Sequence, residues 1–357
     1  MKINLLAHTT LQSGVIGVSV GINKYINIIG KEFVKMGHDV TLTIRNDYSP
    51  KEKWIKPIYS PKFSWIPYPI FLYFSLKEDS DVYHSDYVTT GAPLIWRKKK
   101  HTLVSVHDAI PFTYDKKTMS RSNRFRTWWY MKCFKSIKKA DAIFVLSDYS
   151  KRELLKYTDV PKDKIHVVYI GVDFDHFYPL PKKKHKNIRI GYFGGLDGRK
   201  NVILLVETFK KLVKKYDNIE LHVGGGGKNL KDFKEMKIKN ANFYGFVPDE
   251  KINEFVNSLD IFVYPTLDEG FGLPPLEAMA TGVPVMAANT CSMPEVVGDA
   301  GLLVKPTIDS FEKGLEKLIK DKKLRDTMGK KSVIQAKKFT WEKCAKQTLE
   351  VYKKVLG

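Results

Sequence analysis

The stretch DEGFGLPPLEAMATGVPV at residues 268–285 carries the most information in this sequence about the fold and about a binding site. It follows an apolar run typical of a buried strand, and a helix is predicted to open at Pro274 or Pro275, where a missing backbone N–H costs nothing. Gly270 and Gly272 let the backbone come close to a ligand. Free amides at a helix start favour an anion. The stretch therefore predicts a strand, a ligand-binding loop and a helix in succession.

Two acidic residues accompany these glycines and prolines. Glu269 lies in the predicted loop and Glu277 about one turn into the predicted helix, so both carboxylates can reach one pocket. A sugar and a ribose each offer neighbouring hydroxyls that donate hydrogen bonds to a carboxylate. The alternative is an ordinary strand, loop and helix with two solvated glutamates.

Upstream, FGGLDGRKN at 193–201 links another predicted strand to a helix. Arg199 and Lys200 stand at the predicted helix start, where a positive pair beside free amides would bind a diphosphate. The alternative is a basic helix N-terminus, which runs against the helix dipole. The glycines 224–227, Gly225 among them, are typical of a turn that lets a nucleotide approach, or of a plain flexible loop.

Apolar runs and helical patterns alternate along both halves of the chain, as in α/β proteins with parallel sheets. The economical architecture is two Rossmann-like domains, residues 1–180 and 186–339, followed by a helix over 340–357 whose packing the pattern leaves open. The Pro- and Lys-rich segment 179–187 suits an exposed linker. Open α/β sheets bind ligands at the carboxyl ends of their strands, so a cleft between the halves is the expected active site.

The individual elements follow from the same patterns. A helical pattern also ends at Gly37, a natural helix stop. Strands are predicted at 2–7, 38–44, 82–84, 102–106, 142–146, 188–193, 219–223, 261–264 and 283–287, and helices at 202–216, 249–258 and 274–280.

The charge balance favours anionic partners. The 357 residues include 60 Lys+Arg and 39 Asp+Glu, for a formal net charge of +21. Such an excess suits phosphorylated ligands, an anionic membrane surface or nucleic acid. A generally solvated lysine-rich surface explains it equally well. Because no recognisable nucleic-acid module accompanies the charge, nucleic acid is not an expected partner.

Cysteine usage and hydropathy indicate the compartment. The 3 cysteines are odd in number, far apart and outside any metal-ligand spacing, which fits a reducing cytosol and argues against a zinc site. The longest apolar run, 66–76, contains two prolines and is about half the length needed to cross a bilayer. We therefore expect a cytoplasmic protein without a metal or a cofactor.

A basic, aromatic segment, RSNRFRTWWYMKCFKSIKKA, occupies 121–140. If helical, it would suit the inner face of an anionic membrane, where each Lys or Arg near the surface contributes about 1 kcal/mol. That role would fit a lipid-linked acceptor. The alternative is a core helix with a solvated basic face.

In these motifs the chain resembles the retaining glycosyltransferase family of GT-B fold known as the glycosyl transferases group 1, or family four. The two glutamates with seven residues between them, the GRKN turn and NTCSMPEVVGDAGLLV carry the resemblance in the second half. In the first half, GINKY at 21–25 resembles the glycine-rich turn of the family, and VHDAIP at 106–111 its His-Asp segment. ADAIFVLSDYSKREL at 140–154 and VVYIGVDFDHFYP at 167–179 resemble the segments that follow.

The resemblance implies roles for residues of the second half. Arg199 and Lys200 would bind the diphosphate of a nucleotide diphosphate sugar, and Glu277 would bind its ribose. Glu269 would hold the transferred sugar. Backbone contacts to that sugar would come from Phe271, Gly272 and Leu273.

The resemblance also implies roles in the first half. His107 would sit under the sugar near its anomeric carbon, and the glycines from Gly17 to Gly21 would pass close to the phosphates. A lone histidine after a strand is more often a structural residue, and only its place at the carboxyl end of a strand favours function. Two positions depart from the family: Gly195 replaces a frequent arginine, and Asn23 replaces the usual second glycine of the turn.

The mechanism that the resemblance implies is retaining transfer of a hexose-type sugar to a glycan or lipid-linked acceptor, without metal. The departing diphosphate would take the acceptor's proton on the same face, while the protein holds charge and position. Two alternatives are an epimerase or hydrolase of the same fold and a basic nucleic-acid-binding protein.

Overall fold

The computed structural model describes residues 1–7, 20–45, 53–58, 68–76, 79–107, 121–182, 185–227 and 229–357. These residues form two compact units. Unit 1 comprises Met1–Gly171 and Trp341–Gly357, and unit 2 comprises Val172–Thr340. The Pro- and Lys-rich segment 179–187 belongs to unit 2, where the amide of Leu180 donates to Asn257 Oδ1 at 2.8 Å.

The described part of unit 1 contains a seven-stranded sheet in which every strand pairing is parallel. Its strand order is β3-β2-β1-β4-β5-β6-β7, so the chain turns from one side of β1 to the other on reaching β4. Both faces of such a sheet are covered, and its strands over 82–85, 102–106 and 142–145 are buried along their whole length. The strands are β1 (Lys2–Leu6), β2 (Asp39–Arg45), β3 (Ile55–Ile58), β4 (Val82–Ser85), β5 (Thr102–Val106), β6 (Ala142–Val145) and β7 (Ile165–Val167).

Helices flank this sheet, and the last helix of the chain is one of them. Its residue Tyr352 packs its ring on Phe33 of the first helix, with centroids 5.6 Å apart. The helices of unit 1 are α1 (Val20–Lys35), α2 (Tyr68–Ser75), α3 (Val88–Trp96), α4 (Arg121–Ser136), α5 (Asp148–Tyr157) and α13 (Trp341–Leu356). Within the described ranges, no helix is both long and apolar enough to cross a bilayer.

Unit 2 repeats the arrangement with a six-stranded parallel sheet over its described residues, in the order β10-β9-β8-β11-β12-β13. The chain changes direction between β8 and β11. The strands are β8 (Ile188–Phe193), β9 (Ile219–Gly224), β10 (Ala241–Gly245), β11 (Ile261–Tyr264), β12 (Val285–Ala288) and β13 (Leu302–Val304). The helices are α6 (Val202–Leu212), α7 (Leu230–Glu235), α8 (Asp249–Asn257), α9 (Leu273–Ala280), α10 (Met293–Val297), α11 (Ile308–Lys320) and α12 (Lys322–Ala336).

The predicted strands and helices are confirmed, with ends that shift by at most four residues. Strands β3, β7, β10 and β13 were not predicted. Pro57 interrupts the pattern of β3, and as the outermost strand of its sheet β3 tolerates a proline. The basic segment over 121–140 is helical through α4, the condition on which its membrane role depended.

One predicted turn is wrong. GINKY at 21–25 lies within α1 and not in a glycine-rich turn, so Gly21 is a helical residue. The reason is an apolar stripe: Tyr25, Ile29 and Phe33 recur every four residues and are all buried. Gly17 lies outside the described residues.

Candidate functional site

The reversal of strand order in unit 2 creates the position where a parallel sheet holds a ligand. The connections leave β8 and β11 in opposite directions, and the carboxyl ends of two such strands are where open α/β sheets bind ligands. The loop after β8 carries Arg199 and Lys200, and the loop after β11 carries Glu269. The amide of Leu267 donates to the carbonyl of Arg199 at 2.8 Å, which joins the two loops.

A compact group of charges lies at this junction. The Lys200 ammonium forms an ion pair with the Glu269 carboxylate and donates to Tyr264 Oη at 3.0 Å. Tyr264 Oη in turn donates to Glu269 Oε2 at 3.1 Å. The Lys200 side chain is only 8% exposed, so these partners are what makes its burial tolerable. The structure therefore brings together the predicted cationic turn and acidic loop.

Arg199 is the more accessible cation of the pair, with 36% of its side chain exposed. Its Nη1 atom lies 3.6 Å from Glu269 Oε2 and donates to the carbonyl of Asp268 at 3.3 Å. Its Nε atom lies 3.4 Å from Asp197 Oδ1. A doubly charged anion reaching this junction would meet one buried and one accessible positive charge.

Two buried tyrosines that the sequence pattern did not indicate lie next to this junction. Tyr192 and Tyr264 stack at 5.7 Å with an interplanar angle of 9°. Tyr192 Oη donates to the carbonyl of Gly195 at 2.6 Å. Burial, reinforced by the Glu269 charge, raises the pKa of both tyrosines well above the usual range. Both hydroxyls therefore keep their protons and act as fixed donors.

The acidic loop is held by a further missed residue, Ser292, just before α10. Its hydroxyl contacts two loop carbonyls, that of Glu269 at 2.9 Å and that of Phe271 at 2.7 Å. Gly272 ends the loop at φ +105°, and a Cβ there would lie 2.3 Å from Met293 Cε. The positive φ favours glycine at this position, and the flexible end of Met293 would have to move for any larger residue. The quoted motif NTCSMPEVV pointed at this segment without identifying the serine.

The helix starts differ from the predicted ones. Helix α9 begins at Leu273, with Pro274 and Pro275 at its next two positions, so its first turn offers fewer free N–H groups than expected. Arg199 and Lys200 occupy a short 3₁₀ turn, and Asn201, at φ +52°, separates them from α6. The binding capacity of the site thus rests more on side-chain charges than on helix amides.

The other predicted residues occupy separate positions. Glu277 lies half-buried on α9, next to the first turn that Leu273 opens, and Phe271 is buried. His107 belongs to unit 1, directly after β5, where its Nε2 donates to the carbonyl of Asp86 at 2.7 Å. Across the residues with assigned positions, no group of three or more His, Cys, Asp or Glu side chains could hold a metal ion.

Each half of the chain matches the model of a known glycosyltransferase family. The family model described as glycosyl transferases group 1 matches residues 177–355, and the model described as glycosyltransferase family 4 matches residues 20–176. O-antigen chain mannosyltransferase B of Escherichia coli is 31% identical over 235 residues, which cover 61% of this chain and 62% of that protein. Serotype-specific mannosyltransferase WbdA of Escherichia coli is 27% identical over 296 residues, which cover 76% of this chain and 36% of that protein. These matches span less than two thirds of the length of either relative.

Solved structures share the fold at low identity. Sucrose-phosphate synthase from Thermosynechococcus elongatus superposes with a TM-score of 0.81 at 19% identity, over 99% of both chains. Anabaena Alr3699/HepE, solved in complex with UDP-glucose, superposes with a TM-score of 0.75 at 15% identity, over 99% of this chain and 100% of that one. These likenesses confirm the predicted GT-B fold with two Rossmann-like domains.

The turn predicted to approach the nucleotide contains Gly225, which packs closely against the loop after β8. A Cβ at Gly225, where φ is +137°, would lie 1.7 Å from the carbonyl oxygen of Gly194, a backbone atom that cannot swing away. Gly225→Ala should therefore lower the free energy of unfolding by about 1–3 kcal/mol or more. Its neighbour Gly226 has no atom within 4 Å of the added carbon, so Gly226→Ala is the matched control. Urea denaturation measures both, and equal midpoints would contradict the packing.

Proposed function

Since the chain belongs to the glycosyl transferases group 1 family, we propose that it transfers a hexose-type sugar from a nucleotide diphosphate sugar to a glycan or lipid-linked acceptor. The observation that carries this proposal is the junction of Arg199, Lys200 and Glu269 at the carboxyl ends of β8 and β11. Two mannosyltransferases among the relatives, and a fold neighbour solved with UDP-glucose, support a sugar and a nucleotide sugar as substrates.

The charges of the junction suit the two ends of such a donor. A diphosphate gains negative charge as it leaves, and Arg199 and Lys200 would stabilise that charge where it develops. Glu269 accepts hydrogen bonds and would hold sugar hydroxyls, as Glu277 would hold those of the ribose. The amides of Phe271, Gly272 and Leu273, and the turn at Gly225, would complete the donor site.

We further propose that transfer retains the configuration at the anomeric carbon. The bond from that carbon to the diphosphate oxygen breaks, the acceptor oxygen bonds to the carbon on the same face, and the departing diphosphate takes the acceptor's proton. His107 would contact the transferred sugar near the anomeric carbon. Catalysis would then rest on position and electrostatic stabilisation, with no covalent bond to the protein.

The first prediction about the proposed activity concerns Arg199. Donors are identified by thermal shift with glucose and mannose linked to UDP, GDP or ADP, because a donor at about 100 times its Kd stabilises the fold by about 2.7 kcal/mol. With the donor found and octyl mannoside or octyl glucoside as acceptor, Arg199→Ala should lower kcat by about 10² or more. Chromatography of the products measures this.

The control is Arg152→Ala, which removes an exposed arginine from α5 of unit 1 and should leave kcat unchanged. Near-normal turnover by Arg199→Ala would remove the diphosphate assignment. Free or isomerised sugar formed without any acceptor would instead indicate the hydrolase or epimerase.

The second prediction concerns metal. Because Arg199 and Lys200 would supply the positive charge at the diphosphate, we expect transfer in excess EDTA to stay within about twofold of the untreated rate. Initial rates before and after chelation measure this. A rate that falls to zero and returns with Mg²⁺ or Mn²⁺ would show that the protein charges are insufficient.

Helix α4 gives the proposal of a membrane-bound acceptor its structural support. Phe125, Trp128, Lys132 and Lys135 lie on one face of α4, at spacings of three and four residues, and all four are exposed. The first two are 55% and 52% exposed and stack at 5.7 Å, and Lys132 Nζ lies 5.7 Å from the Trp128 ring centroid. The opposite face, which includes Phe134, packs in the core. The alternative reading of a core helix therefore describes one face of α4, and the membrane role is a proposal for the exposed face.

We propose that this exposed face, the α4 aromatic–basic face, binds an anionic phospholipid surface. Aromatic rings prefer the boundary between head groups and acyl chains, and lysines are attracted to anionic lipid. Trp96 of the adjacent helix α3 is 39% exposed and contacts Trp129 at 5.9 Å, which extends the aromatic surface beyond one helix.

The third prediction tests this face with the full chain. It should sediment with vesicles of phosphatidylglycerol and phosphatidylcholine but not with phosphatidylcholine alone, and salt should weaken the binding. The double variant Phe125→Ser with Trp128→Ser should lower the partition coefficient at least about tenfold, because it removes two apolar contacts. Ile334→Ser, at a residue 66% exposed on α12, is the control. Unchanged partitioning of the double variant would refute the assignment.

A further inference from the structure

A line of polar side chains runs through the interior of unit 1, among apolar neighbours. It joins the last helix of the chain to the first through two strands. The hydroxyl of Tyr352 on α13 lies 2.6 Å from Nδ1 of His84 on β4, and Nε2 of His84 lies 2.8 Å from Oγ of Ser105 on β5. Ser105 Oγ then donates to the hydroxyl of Tyr25 on α1 at 3.3 Å. All four residues are at most 1% exposed.

The protonation states give this line a direction. Burial lowers the pKa of His84 to about 3, so its ring is neutral and carries one N–H. Because the Ser105 hydroxyl donates to Tyr25, Ser105 accepts from Nε2–H of His84, and Nδ1 accepts from Tyr352. Burial also raises the pKa of both tyrosines, so each keeps its proton. The hydrogen bonds therefore run one way, from Tyr352 to Tyr25.

The line ends against a residue of the proposed site. The rings of Tyr25 and His107 meet nearly perpendicular, at 82°, with centroids 5.4 Å apart. On its other side, His107 Nε2 donates to the carbonyl of Asp86 at 2.7 Å, and Asp86 follows directly after β4, the strand of His84. His107 is thus held at its nitrogen by one contact and at its ring by another. The ring that makes the second contact belongs to Tyr25, whose hydroxyl accepts the hydrogen bond from Ser105.

We propose that Tyr25 is a positioning residue for His107, and that α13 supports it through Tyr352, His84 and Ser105. This inference rests on the proposed role of His107 in sugar transfer. A core that needed only stability would be served as well by apolar residues of equal volume. A polar line whose hydrogen bonds all run one way instead fixes one arrangement, because each of these bonds needs its donor and acceptor in defined positions.

The fourth prediction separates positioning from stability. Tyr25→Phe keeps the ring and removes the hydroxyl, and it should lower kcat about tenfold while the donor KM stays within about twofold, because the sugar binds but His107 is misplaced. Tyr352→Phe, at the far end of the line, should act in the same direction with a smaller effect. Tyr83→Phe is the control, because Tyr83 is a buried tyrosine on β4 whose hydroxyl contacts Ser80 and Asp79. It should keep the wild-type kcat.

A second measurement does not depend on activity. In the full chain with labelled histidine, Tyr25→Phe should shift the imidazole resonances of His107, whereas Tyr83→Phe should leave them in place. Unmoved His107 resonances, or a Tyr25→Phe enzyme with wild-type kcat, would overturn the positioning role. A wild-type chain that transfers no sugar would instead refute the proposed function, and the resonances would still show whether Tyr25 orients His107.

Discussion

The buried ammonium of Lys200 is the constraint around which unit 2 is arranged. A charge that is almost wholly removed from water must have a partner, because the desolvation cost of an unpaired ion amounts to several kcal/mol. That partner is Glu269, which is 69 residues away in sequence. The two can meet only if β8 and β11 are neighbours, so the strand order of the sheet and the pairing of these charges require each other.

Once the two loops meet, several weaker contacts keep them in register. The bond from the Leu267 amide to the Arg199 carbonyl ties the backbones together, and Ser292 fixes two carbonyls of the acidic loop. None of these contacts carries charge, yet each reduces the number of positions that Glu269 can adopt. A site that stabilises developing charge benefits from such order, because its groups then need no reorganisation during the reaction.

The sequence predicts this site unevenly, for physical reasons. Glycines, prolines and charges in the loops have few structural explanations, so Arg199, Lys200 and Glu269 could be predicted. Tyr264 and Tyr192 could not, because an aromatic residue in an apolar run is read as part of a strand. The turn predicted over GINKY is wrong because the prediction relied on the glycine. The apolar stripe that makes the segment helical had more weight in the fold. For α4, the pattern supported two readings because the helix has two apolar faces, and only the fold shows which one is buried.

In both units a buried tyrosine contacts a side chain of the proposed site. In unit 2, the hydroxyl of the buried Tyr264 contacts both members of an ion pair, and in unit 1 the buried Tyr25 ends a polar line against His107. A tyrosine suits this task because its ring is fixed by packing, so its hydroxyl has a defined position, and burial keeps that hydroxyl protonated. A serine hydroxyl would not reach as far from the backbone. A phenylalanine would pack equally well but has no hydroxyl to form the hydrogen bond. The tyrosine hydroxyls therefore connect the apolar core, which supplies rigidity, to the polar groups that need a fixed orientation.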